Sequence, residues 1–166
     1  MFETPSAKLH LFKIAESIPS STSMFGAMEA LARTQRQGLA VVNPGGVLVG
    51  DISVTDLHDL PEANFSSLNM EVVHWLRAFS STALTPPTTS NEVSLGTLIE
   101  TFATKKTHRL WVVDDEGHPT HVVSLTDVLA AFSSGDHVDQ RMASGDTAIS
   151  HLWRIASPPL GSANEI

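Results

Sequence analysis

Cysteine is absent from the 166 residues, which excludes a disulfide framework and a thiolate zinc site. Positive charge is scarce: ten Lys and Arg stand against eighteen Asp and Glu, for a net charge of −8. Generic nucleic-acid binding depends on clustered cations that neutralise phosphates, so it is not expected here. No run of about 18 apolar residues is available to span a bilayer, and no membrane association is expected. The opening Met1-Phe2-Glu3-Thr4-Pro5 lacks the basic and apolar regions of a secretory signal, which points to a cytoplasmic protein, with the nucleus as the alternative compartment. Apolar side chains are plentiful, at 42% hydrophobic against 17% charged. That composition predicts a packed fold, and the length allows one ordinary domain or two small units.

Self-similarity organises the chain. The segment LAVVNPGGVLVGDISVTDL from Leu39 aligns without a gap on LWVVDDEGHPTHVVSLTDV from Leu110, at an offset of 71 residues. The identical pairs are Leu39/Leu110, Val41/Val112, Val42/Val113, Gly46/Gly117, Ser53/Ser124, Thr55/Thr126 and Asp56/Asp127, where composition alone would give about one. Upstream, Met24, Ala27, Met28 and Leu31 recur at helical spacing, as do Leu95, Leu98, Ile99 and Phe102 in the second copy. Short β-branched runs follow at 39–42 and 110–113, each ended by a turn signal, Asn-Pro-Gly-Gly or Asp-Asp-Glu-Gly. Second strands are predicted at 47–53 and 120–125, so that each copy contains a hairpin. Thr55-Asp56 and Thr126-Asp127 stand where a helix should start. Each copy therefore reads helix, strand, turn, strand, helix, with Val41, Val42, Val112 and Val113 expected in buried strands.

Between the copies, 61–67 is polar, and 68–79 (LNMEVVHWLRAF) has the pattern of an amphipathic helix. Pro86 and Pro87 then impose an extended or turn segment at 85–90. Beyond Phe132 the chain is rich in Ser, Gly and Asp, with one docked turn expected at 151–156 and disorder from 157 onward. One copy alone buries too little surface, which predicts an α+β fold with the two copies packed as a pseudo-twofold pair. The expected limits are 9–60 for the first copy, 61–83 for a linker carrying the helix, 84–134 for the second copy and 135–166 for the tail.

The string THRLWVVDDEGHPTHVVSLTDVLAAF, Thr107 to Phe132, resembles the core of a CBS (cystathionine-beta-synthase) domain. Its HRL, VVDDEG and VVSLTD elements are similar to those of the last such domain in gamma subunits of AMP-activated, SNF1-type protein kinases. The first copy resembles the family more loosely, through GLAVVNPGG and ISVTDL. Together the copies cover about 15–133. The resemblance implies two tandem CBS repeats forming a CBS pair, or Bateman module, whose role is regulatory and whose clefts bind adenine nucleotides. Gamma subunits carry two such modules, and this chain has room for one; it is then a piece of a four-CBS protein, a one-module relative, or a member of another CBS-pair group.

Ser53, Thr55 and Asp56, with Ser124, Thr126 and Asp127, have the chemistry for nucleotide binding. A carboxylate can accept from the paired hydroxyls of a ribose, while hydroxyls and first-turn amides donate to phosphate. On spacing alone, helix capping is the simpler account of both triplets; the resemblance turns the balance toward ligand contact. His108 and Arg109 follow Lys105 and Lys106 at a helix end. The lysines fit a solvated terminus favoured by the helix dipole, whereas the resemblance assigns His108 and Arg109 to phosphate. Their counterparts in the first copy, Gln37 and Gly38, carry no charge. Thr88, in the strap before the second helix, lines the cleft in the family but without the family would be part of a capping loop.

Carried over from the family, Asp56 and Gly38 read ribose and base while His108, Ser124 and Thr126 hold phosphates; the opposite site pairs Asp127 with Arg109 and offers Gln37 in place of the histidine. His121 departs from the glycine that relatives commonly place there. His118 and His121 lack a third convergent ligand, so exposed side chains are expected rather than a metal site. No GxSxG, HExxH, P-loop or zinc-deaminase pattern occurs, and no enzyme activity is expected. AMP, ADP or ATP is the expected regulatory ligand, with no required cofactor, and a kinase-complex subunit the expected protein partner. A homodimer is compatible with the family. The competing expectation is a scaffold with empty clefts that regulates a kinase or phosphatase through protein contacts alone.

Overall fold

In the computed structural model, residues 11–59, 65–80 and 84–133 are described. The tail and its expected turn at 151–156 lie outside these residues. In chain order the elements are β1 (Lys13–Ile14), β2 (Ser17–Pro19), α1 (Met24–Thr34), β3 (Gly38–Val42), β4 (Leu48–Ser53), a 3-10 helix (Val54–Asp59), a second 3-10 helix (Phe65–Asn69), α2 (Val72–Phe79), β5 (Thr88–Thr89), α3 (Leu95–Lys105), β6 (Arg109–Val113), β7 (Pro119–Ser124) and α4 (Leu125–Ser133).

The 71-residue offset reappears residue for residue. α1 and α3 start and end at equivalent positions, as do the β3–β4 and β6–β7 strands. Ser23 caps α1 by accepting from the Gly26 amide, and Ser94 caps α3 by accepting from the Thr97 amide. Both helices end on a left-handed residue, Gln35 at φ 52 and Lys106 at φ 49. Each hairpin turn is built around a side-chain acceptor: Asn43 Oδ1 accepts from the amides of Gly45 and Val47, and Asp114 Oδ1 from those of Glu116 and His118. Gly46 and Gly117 supply the positive φ, at +81 and +86. In Gly117→Ala the new Cβ would also stand 3.3 Å from Val47 Cγ1. That variant is expected to lose about 1–2 kcal/mol, as left-handed strain adds to crowding, and urea unfolding checks it.

The strands form a three-stranded sheet, β2-β3-β4, and a four-stranded sheet, β1-β7-β6-β5, among the described residues. β2 runs parallel to β3 and β5 parallel to β6, again at equivalent registers, Ser17↔Ala40 and Thr88↔Trp111. β1 is additional: it pairs antiparallel with β7, Ile14 opposite His121.

The chain forms two compact units. One comprises Phe12–Asn91 and Leu110–Val122. Its core joins Ile18, Met24, Leu31, Leu39, Val41 and Ile52 to Val72, Trp75 and Leu76 of α2. Trp111 is also fully buried there and donates from Nε1 to Asp51 Oδ2 at 3.3 Å. The other unit contains Glu92–Arg109 and, among the described residues, 123–133. Its buried side chains include Leu98, Phe102, Val123, Leu125 and Val128.

Three sequence expectations are corrected. Val41 and Val112 are fully buried, but Val42 and Val113 are only half-buried, because each is the last residue of its strand and leads into a turn. The predicted helix at 68–79 is a 3-10 helix ending at Asn69 followed by α2 from Val72. After Ser53 the first copy forms a 3-10 helix, whereas the second forms α4. VTDLHDLP has a β-branched start and a proline that disfavours helix at the residue before it, while LTDVLAAF is rich in helix formers.

Candidate functional site

In the first unit the antiparallel register of β3 and β4 sets Gly38 opposite Ser53. The Val54 amide then donates to the Gln37 carbonyl at 3.2 Å. This locks the start of β3 to the end of β4, so that Gln37, Gly38, Ser53, Thr55 and Asp56 form one cluster. Gly38 is buried and Gln37 exposed. Asp56 Oδ2 accepts from the Ser53 amide and from Ser53 Oγ, both at 2.7 Å, and Ser53 Oγ also lies 2.6 Å from Thr55 Oγ1. The carboxylate is thereby held at the strand end in a single orientation. Thr88 is placed elsewhere, exposed on β5 of the other sheet, where the Trp111 amide donates to the neighbouring Pro87 carbonyl at 3.0 Å.

The second unit repeats the pattern. The Leu125 amide donates to the His108 carbonyl at 3.0 Å, bringing His108 and Arg109 beside Ser124, Thr126 and Asp127. Asp127 Oδ2 accepts from Ser124 Oγ at 2.6 Å and from the Ser124 amide at 3.2 Å, and the Asp127 amide donates back to Ser124 Oγ. That reciprocal bonding in the first turn of α4 is helix capping. Capping and ligand contact are compatible here, because these contacts fix the carboxylate from the strand side. His108 and Thr126 are exposed, and Arg109, Ser124 and Asp127 are half-buried. Lys105 and Lys106, at the end of α3, are exposed as a solvated terminus requires. The two copies therefore differ in charge: His108 and Arg109 lead into β6, where the equivalent positions of the first copy are the uncharged Gln37 and Gly38.

Neither histidine of the second hairpin is freely exposed, contrary to the expectation. His121 is half-buried and lies against Phe12, with ring centroids 6.3 Å apart. His118 is half-buried, and each of its ring nitrogens lies within hydrogen-bond distance of an acceptor oxygen. A signal for the latter was present in the sequence: His118 follows Asp-Asp-Glu-Gly at the position equivalent to Val47.

No helix among the described residues is long and apolar enough to cross a membrane. Residues 82–134 match the CBS domain family. The human 5'-AMP-activated protein kinase subunit gamma-3 is 32% identical over 106 residues, which is 63% of this chain and 22% of that protein. The chain thus spans less than a quarter of that relative. Among solved structures, protein MJ1225 of Methanocaldococcus jannaschii, described as a candidate archaeal homologue of the AMPK gamma subunit, superposes with a TM-score of 0.67 at 20% identity, over 79% of this chain and 50% of that one. CBSX2, solved in complex with AMP, gives 0.60 at 21% identity, over 76% of this chain and 95% of its own. The chain thus has the CBS-pair fold, matches the CBS domain family over residues 82–134, and is similar in sequence to a gamma subunit of AMP-activated protein kinase.

Proposed function

We propose that this protein is a regulatory, non-catalytic module that binds an adenine nucleotide, AMP, ADP or ATP, and passes its ligand state to a protein partner of the kinase-complex type. The observation that carries the reading is the carboxylate held at each strand end by the serine three residues before it, Asp56 by Ser53 and Asp127 by Ser124. Such a carboxylate is an acceptor with its orientation already paid for, suited to the vicinal hydroxyls of a ribose. For phosphate the second copy offers Arg109, a planar fork, and His108, an imidazole, with the hydroxyls of Ser124 and Thr126 as further donors. Beside Asp56, the uncharged Gln37 and Gly38 leave phosphate without a cation from those two positions. The second copy is therefore the stronger phosphate contributor. Relatedness to the gamma-3 subunit and the likeness to CBSX2, solved with AMP, support adenine nucleotide as the ligand class.

Signalling requires the nucleotides to differ in affinity for two arrangements of the protein, since a ligand bound equally to both shifts nothing. Thermal melting with AMP, ADP, ATP and adenosylmethionine tests the reading. A ligand confined to the folded state and present at about 100 times its Kd stabilises by roughly 2.7 kcal/mol. A raised midpoint with at least one of the three adenine nucleotides is expected. Unchanged midpoints with all of them would favour the scaffold role, in which partner binding alone carries the function.

A further inference from the structure

The turn that closes the β6–β7 hairpin ends in a histidine that reaches the turn of the β3–β4 hairpin in the same unit. His118 Nδ1 lies 2.9 Å from Asp114 Oδ2, and Nε2 lies 3.1 Å from the Gly45 carbonyl oxygen. Both partners are acceptors: a carbonyl oxygen cannot donate, nor can an ionised carboxylate. A neutral imidazole has one N–H, so it satisfies one acceptor and turns a lone pair toward the other. An imidazolium satisfies both. Alongside, the amide of Leu48, the first residue of β4, donates to the Gly117 carbonyl at 3.0 Å, a backbone bond from the second turn to the strand that leaves the first. Glycines make the approach close: a Cβ on Gly46 would stand 3.1 Å from His118 Cδ2.

We propose that His118 is a proton-operated clasp between the 43–46 and 114–117 turns, closed when its imidazole is doubly protonated and slack when it is neutral. The charged groups facing it come from its own turn, Asp114 in contact and Glu116 further away, with Asp115 also on that turn. The turn it reaches, with the residues up to Gly50, contains no ionisable side chain. The Asp114 side chain first, and then the Gly45 carbonyl, raise His118 above the ordinary histidine value, against a smaller desolvation effect. The His118 amide is the largest influence lowering Asp114.

The signs follow from linkage. A raised histidine contributes stability fully present below its unfolded value, near 6.5, and lost as pH rises through the folded one. A lowered aspartate contributes stability present above its unfolded value and lost as pH falls through the folded one. The clasp is therefore closed in mildly acidic solution and opens toward alkaline pH. This would make the junction of the two hairpins responsive to pH, independently of any nucleotide.

The test is an NMR titration of the full chain from pH 5 to 9, in buffer containing a chelator, with amide exchange at Leu48 corrected for its intrinsic rate. His118 is expected to titrate above the ordinary value and to fall toward it in Asp114→Asn. Leu48 protection is expected to drop by about threefold or more from pH 6 to pH 8, and to show no such step in His118→Gln, which cannot gain the proton. The Gly46 amide, which donates within its own turn to the Asn43 carbonyl, serves as the internal control. A His118 that titrates at or below the ordinary value would overturn the clasp. So would Leu48 protection that is pH-independent in the wild type, or equally pH-dependent in His118→Gln. Should His118→Gln fail to fold, the wild-type titration and Asp114→Asn decide alone.

Discussion

Asp127→Asn is expected to leave the protein folded while lowering its affinity for an adenine nucleotide by about 10- to 100-fold. The side-chain oxygen of asparagine can accept from the Ser124 amide and hydroxyl as Asp127 Oδ2 does now, and asparagine caps helices about as well as aspartate. What disappears is the negative charge that would strengthen a bond from ribose hydroxyls, worth about 1.5–3 kcal/mol for a charged acceptor. Asp127→Ala removes both functions, so it should match the affinity loss and additionally lower stability by about 1 kcal/mol. Calorimetric titration with AMP, beside melting of the unliganded variants, separates the two effects. Affinity unchanged in Asp127→Asn but stability reduced in Asp127→Ala would mean that the carboxylate caps the helix and nothing more. The same pair of substitutions at Asp56, where Ser53 makes the equivalent contacts, reports on the first copy independently.

Trp111→Ala is expected to cost about 3–5 kcal/mol of folding stability, the range for removing a large buried aromatic. Trp111 is fully buried in β6, with β5 on one side and β7 on the other, and its indole N–H reaches Asp51 on β4. Trp111→Phe keeps much of the packing but loses the donor and part of the indole's volume, so it should cost less, about 1–2 kcal/mol. Urea unfolding followed by far-UV circular dichroism measures both, since tryptophan fluorescence would change with the substitution itself. Similar small losses in the two variants would show that the sheet around β6 repacks without the indole. The position equivalent to Trp111 in the first copy is Ala40, itself fully buried. The duplicated strands therefore fill their surroundings with different volumes.

The amino-acid sequence by itself determined the repeated unit and most of its elements. Helical spacing from Met24 and from Leu95 located α1 and α3, because an amphipathic helix of about three turns carries its period within a short window. Asn-Pro-Gly-Gly and Asp-Asp-Glu-Gly located the turns, because the side chain at the first position and the glycine at the last are both local requirements. Ser53-x-Thr55-Asp56 and Ser124-x-Thr126-Asp127 marked the candidate clusters for the same reason: the serine-to-aspartate contact spans only three residues.

Tertiary structure decided what lies beyond that range. β1 is two residues long, too short to show a period, and gains its identity only by pairing Ile14 with His121. Trp111 finds Asp51 across 60 residues, and His118 finds the Gly45 carbonyl across 73. No local pattern encodes either contact, because each depends on where two separately specified hairpins come to rest. Alternation and β-branching assign a residue to a strand, but whether its side chain is covered depends on which neighbours the completed fold places over it.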